Sequence, residues 1–264
     1  MLYAPYRRWN VRECLAKEGI VVGTDLSQEW LLPWWWDHYH RYNDYPVTFV
    51  DFGMSFEMKT WCQAHGTLLP LHVADIFVAS KEEIGASLVP EWEHQFGKEV
   101  WSFRQAWFKK PLACLQSPYQ YSIWIDLDCE IRGPLNALFS FCQGEEGFAI
   151  AKEVYQPKEN NTHNSGVFVF KRGIDLIEQW ANLSFEVNDV CVGDQNTLSR
   201  LLAKDPDLFA ELPLIYNWSR SCEDNPEALI FHWHGPHGKK AIAYQMHCSL
   251  LKEVFVKASD SKEL

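Results

Sequence analysis

Two aspartates, Asp126 and Asp128, close a β-rich run, Tyr121-Ser-Ile-Trp-Ile-Asp-Leu-Asp-Cys-Glu-Ile-Arg-Gly-Pro134. In a regular strand, residues i and i+2 share a face, so both carboxylates would point one way and Leu127 the other. Carboxylates that close together repel, and one must hold a proton unless a cation neutralises them. A divalent cation that prefers hard oxygen ligands suits that position. The same tripeptide also serves as an ordinary acidic strand end in solvent, so its meaning depends on what else the chain brings to it.

Other residues could carry chemistry. His232, His234 and His237 crowd the stretch His232-Trp-His-Gly-Pro-His-Gly-Lys-Lys240. A structural zinc module there would normally add paired cysteines, and none are near. Cys129 directly follows Asp128, but a buried, inert thiol is the simpler reading. Asp194 precedes a helical pattern, where a carboxylate suits the helix dipole, and Asp51 ends a strand, where it serves a turn or a ribose. Trp34, Trp35 and Trp36 cannot share one helix face, because successive residues point roughly 100° apart. At least one ring must meet another element or a ligand.

The elements that would position these residues follow from periodicity. Gly19-Ile-Val-Val-Gly-Thr-Asp25 reads as a buried strand, and a helix follows with Ser27 as its cap and Pro33 near its first turn. Residues 46–51 read as a second strand. Ser55 caps a helix over Phe56 to His65, with Gly66 ending it in a left-handed turn, and residues 67–71 read as a third strand. This β-α-β-α-β alternation predicts a parallel sheet with crossover helices. Ligands of such sheets sit beyond the carboxyl ends of the strands.

Residues 72–98 show no clear period. A helix follows over Trp101 to Gln116, carrying Arg104, Lys109 and Lys110. Strands are predicted over 148–151, over 164–170 after a turn, over 212–216 and over 228–231, with helices over 173–182 and 193–202. Arg7, Arg8 and Arg12 fall on one face of a short N-terminal helix. The chain reads as a single domain, with residues 1–18 an extension and 241–264 a tail.

Composition bounds the class. The 264 residues carry a formal net charge of -11, which disfavours a polyanion such as nucleic acid as a general partner. The eight cysteines lack any Cys-x-x-Cys pair and read as reduced core thiols. The N-terminus has no continuous apolar leader and no stretch reaches the length of a transmembrane segment, so the expected location is cytoplasmic.

Taken as a set and in this order, Trp124-Ile-Asp-Leu-Asp128, Asn164-Ser-Gly-Val-Phe168, Asp194-Gln195 and His232-x-x-Gly235 with Lys239 resemble glycosyltransferases of the GT-A fold, family 8 and its relatives. The resemblance runs from about Val21 to Lys240. It implies an α/β, Rossmann-like mixed central sheet flanked by helices, the nucleotide-diphospho-sugar transferase fold. It also implies a metal-dependent, retaining hexosyltransferase that moves a sugar from a UDP-sugar to an unidentified glycan, lipid or protein acceptor, with Mn2+ or Mg2+ bridging the diphosphate. By that resemblance Asp126, Asp128 and His232 hold the metal. Lys239 reaches the diphosphate, although the intervening Pro236-His-Gly leaves Lys240 as a second candidate. Gly23, Thr24 and Asp25 hold the base and ribose, Arg104 lies near the nucleotide, Asn164 and Ser165 line the sugar pocket, and Asp194 with Gln195 contacts the transferred sugar. Two alternatives are a GT-A-like protein that binds nucleotide sugars without transferring them, and a haloacid-dehalogenase-type phosphotransferase. The latter normally carries its aspartate pair on the first strand of its core.

Overall fold

The computed structural model describes residues 14–71, 78–154 and 162–260, with side chains as far as residue 248. The arginine face of Arg7, Arg8 and Arg12 lies outside these residues. The first strand, β1 (Ala16–Thr24), is followed by α1 (Leu32–Tyr39), β2 (Val47–Asp51), α2 (Phe56–His65) and β3 (Thr67–Pro70). Two helices in series, α3 (Leu88–Phe96) and α4 (Val100–Leu115), lead to β4 (Tyr119–Ile125), β5 (Cys129–Ile131), β6 (Phe148–Lys152) and β7 (His163–Lys171). Then come α5 (Asp175–Glu186), α6 (Asp194–Leu202), the two-residue strands β8 (Ala210–Glu211) and β9 (Trp218–Ser219), β10 (Ile230–His232) and α7 (Gly235–Asp260).

Seven strands form one sheet in the order β3-β2-β1-β4-β7-β6-β8. It is parallel from β3 to β4 and antiparallel where β7 joins β4 and β6, so the sheet is mixed. Apolar side chains alternate between its faces. Ile20, Val22, Ile123, Ile125, Val167 and Val169 join a core with α1 on one side, whereas Val21, Trp124, Phe168 and Phe170 meet α5 and α6 on the other. Covering both faces explains why these strands read as continuous apolar runs.

After β1 the chain winds outward through β2 and β3 and then returns to place β4 on the other side of β1. That reversal creates a crevice at the carboxyl ends of β1 and β4. The register Val21↔Trp124 brings Gly23-Thr24-Asp25 and Asp126 to the same edge. Here β4 ends at Ile125, and Cys129 N–H closes a turn onto the Asp126 carbonyl at 3.1 Å. The chain then enters a three-stranded sheet, β5-β10-β9, in which Cys129 pairs with His232. Asp126 and Asp128 therefore flank a turn between two sheets instead of sharing a strand face.

Several expectations are corrected. Ser27 does not cap α1, because its N–H and Oγ both donate to Asp25 Oδ1 and a 3-10 turn over Glu29–Leu31 intervenes. Ser55 does cap α2, accepting from Met58 N–H at 3.1 Å. Gly66 is extended, not left-handed (φ 177°), and glycine is needed there because a Cβ would strike the Val47 carbonyl. The strand expected over 212–216 is a 3-10 turn at Leu214–Tyr216, since Pro213 cannot donate to a ladder. The strand expected over 164–170 is β7, which holds Asn164 and Ser165. The C-terminal segment from residue 241 continues α7 as far as Asp260.

The three tryptophans are structural. Trp34 donates to Gln245 of α7, Trp35 stacks on Tyr39, and Trp36 meets Phe49 and Trp61. All eight cysteines are free thiols. No helix among the described residues is long and apolar enough to cross a membrane.

Candidate functional site

The two aspartates of the turn face different partners. Asp128 Oδ1 lies 3.3 Å from His232 Nε2, and its Oδ2 accepts from Lys239 Nζ at 2.8 Å. Burial alone would raise its pKa, but Lys239 and His232 hold it well below the usual carboxylate range. Asp126 turns to the other side, accepting from Trp124 Nε1 at 2.7 Å and pairing with Lys110 at 3.1 Å. Lys110 comes from the buried face of α4. It also pairs with Asp194 at 3.2 Å and donates to the Ser165 carbonyl at 3.1 Å. Burial works against its charge, but the two aspartates outweigh that and raise its pKa. One ammonium shared by two carboxylates leaves net negative charge. Burial, with the neighbouring Asp126 charge, raises the pKa of Asp194 despite Lys110.

The two halves are joined by hydrogen bonds. Ser165 Oγ donates to Asp194 Oδ2 at 2.8 Å, and Ser165 N–H donates to Gln195 Oε1 at 3.0 Å. Glu153 Oε2 accepts from both Gln195 Nε2 and Asn164 Nδ2. Asn217 in turn links Asn164 to His232. The site thus combines fragments of α4, the β4–β5 turn, β7, the start of α6, β10 and the first turn of α7.

Asp128, Cys129 and His232 present potential ligand atoms within 4.8 Å of one another. Burial pushes the Cys129 thiol up, well above its usual pKa, so it stays protonated and is a poor ligand. What remains is one carboxylate oxygen and one imidazole nitrogen facing each other, a pair able to give two ligands to a divalent cation. The zinc alternative finds no support: His234 Nε2 is taken by Ser219 Oγ at 2.7 Å and His237 is exposed.

No protein-family model matches the chain, and no curated protein does either. Solved structures do. The glycosyltransferase GlyE of Streptococcus pneumoniae TIGR4, in its apo form, matches over 83% of this chain at 16% identity with a TM-score of 0.56. The chain spans 55% of the length of that GlyE chain. The galactosyltransferase LgtC, in complex with donor and acceptor sugar analogues, matches at 12% identity and a TM-score of 0.52, over 83% of this chain and 87% of that one. Mouse xyloside xylosyltransferase 1, in its apo form, matches at 15% identity and a TM-score of 0.50, over 83% of this chain and 97% of the other. The fold is GT-A. The aspartate pair follows the fourth strand of this GT-A sheet, which leaves no place for the haloacid-dehalogenase alternative.

Within the GT-A crevice the other expected residues fall as follows. Gly23 packs against the Phe52 ring, Thr24 is buried and Asp25 is partly exposed at the end of β1. Asp51 serves its turn, accepting from Gly53 and Met54 N–H and pairing with Lys59 at 2.8 Å. Of the two lysines on α7, Lys239 faces the site and Lys240 is exposed. Arg104 is the residue placed elsewhere. It is 1% exposed, lies over Trp92, Trp101 and Phe108, and donates to the carbonyls of Ala79, Asn188, Cys191 and Val192. Burial lowers its pKa to about 10. It ties α4 to the 188–192 segment, so Arg104→Met is expected to cost at least about 2 kcal/mol of stability. Nucleotide affinity of the folded variant should be unchanged. Urea denaturation and a nucleotide titration check the two halves of that statement.

Three residues of the network were not singled out by sequence motifs: Lys110, Glu153 and Asn217. Lys110 had a usable signal, a lysine inside the apolar run Phe108-Lys-Lys-Pro-Leu-Ala-Cys-Leu115. A buried lysine needs a carboxylate partner. Glu153 lies just outside a short strand and carries no local mark, and the Asn-x-Ser triplet that Asn217 begins points to nothing in the site.

Proposed function

We propose that the chain is a cation-dependent glycosyltransferase that moves a hexosyl group from a UDP-sugar to a glycan, lipid or protein acceptor. The observation that carries this reading is the convergence of Asp128, His232 and Lys239 with Asp126, Lys110 and Asp194 at the carboxyl edge of β1 and β4 in a GT-A fold. Asp128 and His232 are the proposed cation ligands. Asp126, the third ligand that the resemblance implies, faces Trp124 and Lys110 and lies outside the group formed by Asp128 and His232, so it would have to turn to join them. A bound Mn2+ or Mg2+ would supply a Lewis acid for the departing diphosphate.

The protein's own groups do the remaining work. Gly23, Thr24 and Asp25 receive the base and ribose at the switch point. Lys239 neutralises Asp128 and is positioned to exchange that partner for a phosphate oxygen when the donor enters. Asn164, Ser165 and Gln195 line the sugar side with amide and hydroxyl groups. Asp194, held by Lys110 and Ser165, keeps negative charge beneath the reacting sugar, where cationic character develops. The reading includes retention of configuration, by the resemblance to family 8.

A panel of UDP- and GDP-sugars with Mn2+, followed for release of nucleoside diphosphate and for the anomeric configuration of the product, tests this reading. Mn2+-dependent release of UDP with a retained product is expected. Nucleotide binding without release or transfer would favour the non-catalytic binding alternative.

A further inference from the structure

The partner of His232 on the side away from Asp128 is Asn217, only 4% exposed, just before β9. Its orientation follows from fixed acceptors. The backbone carbonyl of Asn164 can only accept, and it lies 3.2 Å from Asn217 Nδ2, so the Asn217 amide nitrogen faces Asn164. The same nitrogen donates to Asn164 Oδ1 at 2.9 Å, an oxygen also fixed as acceptor by Gly166 N–H at 2.9 Å. The Asn217 carbonyl oxygen must then face His232 Nδ1 at 2.9 Å, and a carbonyl can only accept. His232 Nδ1 therefore carries a proton, and Nε2 is the nitrogen turned to Asp128.

The ring has little freedom to do otherwise. Gly166 lies flat beneath it: a Cβ there would strike His232 Cε1 and sit 2.6 Å from Nδ1. The parallel β9–β10 register pairs His232 with Ser219, and Asn217, two residues earlier, reaches the ring through its side chain. Beyond Asn164 the bonds continue through Glu153 to Gln195 and Ser165, whose N–H donates to Gln195. A shift of the sugar-side residues would therefore reach the histidine through Asn217.

We propose that Asn217 is a positioning residue: its side-chain carbonyl holds His232 with Nε2 presented to Asp128 and an incoming cation, while its amide locks that histidine to the sugar-side residue Asn164. This rests on the reading of Asp128 and His232 as cation ligands. Partners of this kind set the tautomer and aim of a ligating imidazole, and their loss costs about 10–100-fold in metal affinity.

The test uses the full chain labelled with 15N-histidine, with the His232 signals assigned by their loss in His232→Gln and spectra recorded on the alkaline side of the ring's titration. In the wild type the proton should sit on Nδ1. In Asn217→Leu, which matches the shape but cannot accept, it should move to Nε2, and calorimetric Mn2+ affinity should fall about 10–100-fold. Asn217→Asp, which still accepts from Nδ1, should keep the proton on Nδ1 and hold Mn2+ affinity near the wild-type value. An Nε2 proton in the wild type overturns the proposal without recourse to any variant. So does an unmoved proton or unchanged Mn2+ affinity in a folded Asn217→Leu, or a proton moved to Nε2 in Asn217→Asp. If the proton moves as expected but the wild type has no Mn2+ affinity, the cation reading fails, and Asn217 keeps only its hold on the ring.

Discussion

Asp128→Asn is expected to lower kcat/KM for Mn2+-dependent donor turnover by at least about a hundredfold, roughly 2.7 kcal/mol of transition-state stabilisation. The substitution keeps shape and removes one charge, so the loss reports charge alone. Asparagine can still accept one hydrogen bond, and Lys239, whose side chain is 28% exposed, can turn to solvent. The melting temperature should therefore fall only by the few degrees that about 1 kcal/mol produces in a chain of this size. The two effects separate a ligand from a structural ion pair. Near-normal turnover in this variant removes Asp128 from the cation site.

The largest effect on stability is expected at Lys110, at the hub of the other half of the site. Lys110→Met leaves Asp194, whose side chain is 5% exposed, and Asp126 facing one another without a cation between them. Removing one member of a buried ion pair costs about 3–5 kcal/mol, because the charge left behind keeps its desolvation penalty. At roughly 2–4 °C per kcal/mol this is a fall of about 10 °C in melting temperature. Adding Asp194→Asn should recover at least half of that loss, since it removes the stranded charge. A fall below about 2 °C in the single variant, or no recovery in the double, would mean that solvent already screens the cluster. The pairing has a physical logic for the site: the Lys110 ammonium offsets the repulsion between two carboxylates held in one crevice.

The first half of the fold was legible because its signals are local. Ile20, Val21 and Val22, and Val47, Phe49 and Val50 around a buried Thr48, form nearly continuous apolar runs because both faces of the parallel sheet are covered. The Ser55 cap and the Phe56–His65 helix read directly from residue type. Short strands at the rim were harder: β8 and β9 have two residues each and no period to detect. At the site, the aspartate pair was legible as a motif but its geometry was not. Sequence spacing suggested a shared face, whereas the turn closed by Cys129 N–H sends Asp126 toward Lys110 and Asp128 toward His232. Arg104 shows the opposite failure. Nothing local distinguishes an arginine at a nucleotide from one beneath four carbonyls, because the difference lies in where residues 79 and 188–192 pack. Asn217, between a proline-led turn and a two-residue strand, is identified only by the ring it holds.

Calorimetric titration of UDP into the protein, once with saturating Mn2+ and once with EDTA, bears most directly on the proposed donor site. Saturable binding of UDP with Mn2+ that disappears in EDTA and in Asp128→Asn is the expected result. Equal affinity in EDTA, or no binding of UDP in the presence of Mn2+, would contradict it.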